Sequence, residues 1–318
     1  MNEQVVIAFD TSNYTTSAAA ADRNGNIVSD HRILLKVREG ERGLRQQEAL
    51  FQHVNGLPEV VSKVMDDIHG CTIAAAACSV RPRPVEGSYM PCFNAGWSEA
   101  SVLASTLGVP LYEFSHQEGH VAAAEHGTEL EGRNDYIFFH LSGGTTEAAE
   151  LPGYEIAGRT LDISFGQLID RTGVMLGISF PCGRTLDSLA MSYEGDGKYV
   201  LPKIKVRDGD VNLSGVEAAC LRLITETEDS DQGTDRALLA KTLFDRTAEA
   251  LADMTVSVSR KTGKKDFLFA GGVSSSIYIR NKLKELIPEG INVFFGEPEL
   301  CRDNAAGIAI LGGRKLWR

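Results

Sequence analysis

YIFFHLSGGTT, Tyr136 to Thr146, is the stretch that decides the fold. Tyr136 to Ser142 is a short apolar and aromatic run, which reads as a buried strand. Gly143-Gly144-Thr145-Thr146 is a turn of small polar residues after it, and further strands are expected at about 146–151 and 154–160. The chain opens in the same way. VVIAF, Val5 to Phe9, ends at Asp10 and the polar turn Thr11-Ser12-Asn13. Strand-like stretches at 14–22 and 27–36 follow, split by Asn24-Gly25-Asn26, a hairpin signal. Strand, small polar turn and two more strands, met twice, predict a duplicated α/β chain. It would have two similar lobes, each built on a central mixed sheet, with a cleft between them.

Working outward, apolar spacing predicts a helix over 47–68 and a strand at 72–80. RPRPVEGSYMPCFNAG, Arg81 to Gly96, carries three prolines and two glycines and is expected to be an irregular loop. A helix at 98–107, a strand at 109–114 and a helix beginning SHQEGHVAAA at Ser115 come next. In the second half, helices are predicted at 164–176, 184–193, 236–260 and 277–286, with strands at Phe267 and at Val293 to Gly296. Charged or acidic loops are expected at 38–46 and 226–235. The domain expectation is an N-terminal lobe over 1–114, completed by a C-terminal helix at 301–318. The second lobe spans 115–300, with a helical insertion at about 162–235.

With 318 residues, 43% hydrophobic and 24% charged, the chain has an ordinary globular composition that can bury a core without staples. No apolar run approaches the roughly 18 residues of a membrane helix, and MNEQVVIAFDTS lacks the basic region of a signal peptide. The six cysteines include no CxxC pair, so they are expected to be reduced and mostly buried in a cytoplasmic protein. The net charge of -11 argues against a chain that grips nucleic acid alone. Basic groups at Lys203, Lys205 and Arg207, at Arg260, Lys261, Lys264 and Lys265, and at Arg314, Lys315 and Arg318 read first as solvated surface.

The chemistry-bearing residues fall into two sets. His116 and His120 lie four apart on a helix, with Cβ atoms roughly 5–6 Å apart, so both imidazoles can reach one metal ion. Asp303 near the start of the last helix is an N-cap by default, or else a third ligand; two histidines and one carboxylate leave open positions for substrate oxygens. The second set comprises Ser142, Gly143, Gly144 and Thr145 in one loop and Gly271, Gly272 and Ser276 in another, AGGVSSS. Each follows a strand and lets backbone N–H groups approach an anion, the second at a helix start. Asp170 in a helix can accept ribose hydroxyls or be a plain exposed helix aspartate, and Gly183 in the Pro-Cys-Gly turn can admit a flat base or simply belong to a helix C-cap turn.

These motifs, in this order, resemble the TsaD family, also called Gcp or the universal tRNA threonylcarbamoyladenosine transferase family. That family sits within the actin-like, sugar-kinase and heat-shock-chaperone ATPase superfamily. DTSNYTTS, HQEGH, LSGGTTE, the stretch from TLDISFGQLID to GISFPCG, VNLSGVEAA, FAGGVSSS and ELCRDNAAGIA carry the likeness along essentially the whole chain. The resemblance implies the two-lobed actin-like fold. It implies one divalent metal, iron or zinc, on His116, His120 and Asp303. It also implies ATP, AMP or a threonylcarbamoyl-adenylate on Ser142, Gly143, Gly144, Thr145, Asp170, Gly183 and Asp187, with Ser276 where the family has an asparagine. The implied reaction moves a threonylcarbamoyl group from the adenylate to N6 of an adenosine in tRNA, with Asp10 as the catalytic proton acceptor. Protein partners of the threonylcarbamoylation complex, or self-association, are implied; a membrane is not. This chain departs from the pattern at Asn13, Tyr14 and Thr15, at Arg81-Pro82-Arg83-Pro84, at Thr145, at Cys182 and at Ser276. It therefore reads as a divergent paralogue whose acceptor side has changed. Arg81, Arg83 and Tyr14 are candidates for that side.

Two other readings compete. One is a non-catalytic or repurposed nucleotide-binding paralogue, acting as a scaffold or transferring to another acceptor. The other is a metallopeptidase, which needs HExxH; Gln117 stands where the glutamate belongs, and Glu118 is about 200° around the helix from His116.

Overall fold

The computed structural model describes residues 3–12, 14–37, 44–197, 199–228 and 235–318. Asn13 and most of the two expected charged loops lie outside them. The chain forms two compact units, Met1–His126 with Glu299–Arg318, and Gly127–Pro298.

The first unit is a five-stranded sheet of β1 (Gln4–Thr11), β2 (Thr15–Asp22), β3 (Ile27–Leu34), β4 (Thr72–Arg81) and β5 (Leu111–Ser115), in the order β3-β2-β1-β4-β5. β1 runs antiparallel to β2 and parallel to β4. Both faces are covered, so β1 and β2 are buried nearly end to end. Val5, Ile7 and Phe9 of β1, with Ala18 and Ala20 of β2, pack under α1 (Gln46–Asp67) and α2 (Phe93–Leu107). Val6 and Ala8, with Ala19 and Ala21, pack under α9 (Ala306–Trp317). The strand period of two then fixes which polar residues share a face at the carboxyl end of β1. Asp10 follows Val6 and Ala8, Thr15 and Ser17 precede Ala19, and Ser79 follows Ala75 and Ala77 of β4. All belong to the α9 face. Thr16 belongs to the α1 face.

α3 (His116–Glu125) begins at Ser115, whose hydroxyl accepts from Glu118 N while the Glu118 carboxylate accepts from Ser115 N, a capping box. α3 packs closely on α9 through two glycines: a Cβ on Gly307 would lie 1.9 Å from the Gly119 carbonyl oxygen. Glu125 and Arg314 pair across the same two helices. These contacts, with those to β4 and β5, draw α3 into the first unit. The boundary falls after His126, whereas the sequence expectation was 114/115.

The second unit repeats the pattern. β6 (Ile137–Leu141), β7 (Thr146–Glu150), β8 (Glu155–Arg159), β9 (Asp266–Ala270) and β10 (Asn292–Phe295) lie in the order β10-β9-β6-β7-β8. Each corresponds to one strand of the first sheet, with the same parallel and antiparallel pairings. Between β8 and β9 lie α4 (Phe165–Met175), α5 (Gly183–Ser192), α6 (Ser214–Glu228) and α7 (Arg236–Thr262); α8 (Ile277–Leu286) precedes β10. Two local outcomes differ from expectation. α2 starts at Phe93, inside the stretch expected to be irregular through Gly96, because the last proline there is Pro91. α6 was not anticipated, although Val216, Cys220 and Ile224 recur at helical spacing and are all buried.

All six cysteines are free thiols, five of them buried, and burial pushes Cys78 up to about 12. No described helix is long and apolar enough to cross a membrane.

Candidate functional site

Among the described residues one cluster can hold a metal ion: His116, His120 and Asp303, each offering one ligand atom, with these atoms within 4.8 Å of one another. The two Nε2 atoms face each other at 2.9 Å, and Asp303 Oδ1 lies 3.3 Å from His120 Nε2 and 3.6 Å from His116 Nε2. All three residues belong to the first unit. Asp303 is free to join because its neighbour does the capping: Asn304 Oδ1 accepts from Ala306 N and Gly307 N at the start of α9.

A ring of supporting groups surrounds the donors. His116 Nδ1–H donates to Asp10 Oδ2 at 2.7 Å, which leaves Nε2 as the ligand atom. Asp10 is only 1% exposed, and Ser79 Oγ donates to its other oxygen. A carboxylate enclosed in this way orients an imidazole. Asp303 Oδ2 accepts from Ser12 Oγ at 3.3 Å and Thr15 Oγ1 at 3.5 Å. Behind this turn His53, fully buried on α1, contacts Ser12 O at 2.6 Å and Thr16 Oγ1 at 2.8 Å. Burial holds the His53 pKa below its usual value. Of these supporting residues the sequence reading gave a chemical role only to Asp10. Face alternation along β1, β2 and β4 was the available signal for Thr15 and Ser79.

The donor set fits a divalent transition metal such as zinc or iron: two imidazole nitrogens, neutral when they bind the ion, and one carboxylate oxygen, with the His116 tautomer fixed by Asp10. Burial would lower the His116 pKa, but the charge of Asp10 and hydrogen bonds to Asp10 and Asp303 outweigh it and raise the group to about 10. The Asp303 carboxyl, though buried, is held well below the usual range by hydrogen bonds to the two histidines and by their charge. A metal must therefore displace a proton from His116 at neutral pH. Chelator-competition titrations are expected to show affinity rising by up to about tenfold per pH unit, flattening near the His116 value. Affinity unchanged from pH 7 to 9 would contradict this arrangement. For the metal-free chain the sign is opposite. A folded pKa raised above 6.5 gives stability that is complete below that pH and lost as pH climbs towards about 10.

Glu118, the glutamate between the two histidines in sequence, has its carboxylate on Ser115 N at 2.7 Å and Ser115 Oγ at 2.6 Å. It is held in a cap, away from peptidase chemistry. Arg81 ends β4 opposite Ser115, and the following Pro82 O accepts from Gln117 N, so Arg81 and Arg83 flank the start of α3. Arg81 and Tyr14 are exposed, and Arg83 is half-buried.

The second set of predicted residues gathers in the second unit. Ser142 N donates to Thr145 O and Thr145 N to Ser142 Oγ, closing the turn between β6 and β7. Around Gly143 and Gly144 there is open space where a Cβ would stand. Gly166 of α4 sits directly on this loop: a Cβ there would lie 2.5 Å from Ser142 O. Gly271, at φ +98, packs its Cα side against Leu141 O, which brings the second glycine loop beside the first, and Gly272 faces open space. Asp170 Oδ1 accepts from Cys182 N at 2.8 Å and so holds the turn that opens α5 at Gly183. Asp187 Oδ1 accepts from Ser276 Oγ at 2.5 Å, and its carboxylate also takes Ile277 N and Tyr278 N at the start of α8. Both aspartates thus shape the loops, and the open backbone lies at the glycines. Four of the basic side chains read as solvated surface prove to be engaged: Lys203 with Asp253, Arg314 with Glu125, Lys264 with Glu150, and Lys261 with Ala157 O.

Two copies of one mixed sheet with this strand order define the actin-like ATPase and sugar-kinase class. Solved structures bear this out: component A of (R)-2-hydroxyglutaryl-CoA dehydratase from Acidaminococcus fermentans has a TM-score of 0.58 at 12% identity, with 99% of each chain covered. A ROK family glucokinase from Streptomyces griseus has a TM-score of 0.53 at 14% identity, covering 96% of this chain and 98% of that one. Within the class, residues 34–310 match the family model of TsaD, tRNA N6-adenosine threonylcarbamoyltransferase, and the chain belongs to that family. The tRNA N6-adenosine threonylcarbamoyltransferase of Neorickettsia sennetsu is 28% identical over 315 residues, covering 97% of this chain and 93% of the relative.

Proposed function

We propose that this chain is a metal-dependent acyltransferase that moves a threonylcarbamoyl group from threonylcarbamoyl-AMP to N6 of an adenosine in tRNA. The observation that carries the reading is the His116, His120 and Asp303 donor set with its supporting ring intact, in a member of a family of this activity. In the reaction the N6 nitrogen bonds to the carbamoyl carbonyl carbon, the bond from that carbon to the phosphate oxygen breaks, AMP leaves with the electron pair, and N6 gives up one proton to solvent. Bound iron or zinc would supply a Lewis acid to the carbonyl oxygen. His116, His120 and Asp303 hold the ion, and Asp10 fixes the His116 tautomer. Backbone N–H groups at Gly143, Gly144 and Gly272 receive the phosphate of ATP, AMP or the adenylate. Arg81 and Arg83 offer planar, charge-assisted contacts to phosphate on the acceptor side. The net charge of -11 favours help from protein partners of the same pathway in holding tRNA, in a cytoplasmic setting.

The test is incubation with threonylcarbamoyl-AMP, ferrous or zinc ion and unmodified tRNA, with and without the companion proteins of a characterised relative. AMP and modified adenosine are expected together. AMP without modified adenosine would move the acceptor elsewhere, a reading favoured by the exposed Arg81 and Tyr14. Neither product, with metal bound, would make the chain a non-catalytic paralogue.

A further inference from the structure

We propose that His53 is a positioning residue for the metal centre, acting through Ser12 to make Asp303 a one-oxygen ligand. The inference rests on the metal reading above and extends it to a helix that contributes no ligand. His53 occupies the buried stripe of α1 between Ala49 and Leu57, and it is 0% exposed. An imidazole in an apolar stripe is stabilised only if both nitrogens find partners. Here both do. Ser12 O can only accept, so Nε2 carries the proton and donates to it at 2.6 Å. Nδ1 is then the acceptor for the Thr16 hydroxyl at 2.8 Å. The ring therefore grips both arms of the β1–β2 turn, one through a carbonyl and one through a hydroxyl.

That grip matters for the opposite face of the same turn. Ser12 and Thr15 present their hydroxyls to Asp303 Oδ2, while Oδ1 faces the two histidines. An oxygen already accepting two hydroxyls is a poor second ligand, so the carboxylate offers the ion one atom. Three protein donors then leave coordination positions open for substrate. Without His53 the Ser12 carbonyl loses its partner, the turn relaxes, and Asp303 Oδ2 is released.

Metal affinity, measured by cobalt and zinc titration of the full chain, provides the test. His53→Leu is expected to weaken binding by about 10–100-fold, the range typical of outer partners. His53→Gln places an amide N–H near the Nε2 position and is expected to stay within about threefold of the parent, a rescue that lost packing alone would not give. Ser12→Ala should lose about as much as His53→Leu, and the double variant little more than either single one, because the two act in series. Parent-like affinity in folded His53→Leu, or losses that multiply in the double variant, would overturn the proposal. Should His53→Leu fail to fold, Ser12→Ala decides: a loss of about tenfold supports the proposal and parent-like affinity overturns it. His116→Ala separates the two levels. If it binds metal as the parent does, the metal reading fails; if it loses metal while His53→Leu does not, only the role of His53 fails.

Discussion

Replacing His116 with alanine is expected to lower affinity for zinc or ferrous ion by about a thousandfold or more, well beyond the ~10–100-fold of an outer partner. The substitution removes one of only three donors in the cluster. It also strands Asp10, a carboxylate 1% exposed whose imidazole partner sits at 2.7 Å. Removing one member of a buried charged pair costs ~3–5 kcal/mol, because the remaining charge stays desolvated. The variant should therefore melt well below the parent even in chelator, where metal makes no contribution. Asp10→Asn tests the division of labour. It keeps the shape, leaves all three donors in place, and should cost only the ~10–100-fold of an orienting group. Metal analysis of the purified variants reads the first effect, and melting in chelator reads the second. A stoichiometric ion in His116→Ala would remove the cluster from consideration as a metal centre.

The duplicated fold was legible because its signal is local. Two apolar runs, each ending in a small polar turn and a hairpin, predict two similar sheets, and the sheets share one strand order. The histidine pair was legible for the same reason, being a spacing on one helix. The rest of the centre is not local. Ser12 and Asp303 are 291 residues apart in sequence, and His116 and Asp10 are 106 apart. Only the packing of α9 onto the even-numbered face of β1, and of α3 onto α9, β4 and β5, joins them. The choice between Asp303 and Asn304 shows the limit well. Either can cap a helix; which one does so depends on what the other can reach, and that is decided across the fold. The surroundings of Asp10 lie beyond the sequence for a related reason. Sequence identifies a carboxylate at the end of a strand, but its enclosure by Ser79 and His116 is a property of two strands and a helix together.

Gly307→Ala is expected to damage both stability and metal binding, although alanine is the better helix former by about 1 kcal/mol. The new Cβ would stand 1.9 Å from Gly119 O, 2.7 Å from Gly119 C and 2.9 Å from Ala123 N. All three are backbone atoms of α3, so no rotamer change relieves the overlap; the helices must separate. Overpacking of this kind costs typically ~1–3 kcal/mol and sometimes more, which exceeds the propensity gain. The same separation pulls His120, on α3, from Asp303, which lies three residues before the start of α9 with its Oδ1 now 3.3 Å from His120 Nε2. Displacing that pair by even 1 Å changes the size of a site whose bonds are only ~2 Å long. Gly119→Ala makes the contrast. Its Cβ meets Ile308 Cδ1 at 2.7 Å, the far end of a flexible side chain, with the nearest backbone atom at 3.7 Å. Ile308 can turn aside, so the cost should stay near 1 kcal/mol or below, with metal retained. Denaturant unfolding and metal content of the two variants decide the matter. If both behave like the parent, the glycine contact does not set the helix spacing, and the geometry of the centre must be held by Glu125 and Arg314 instead.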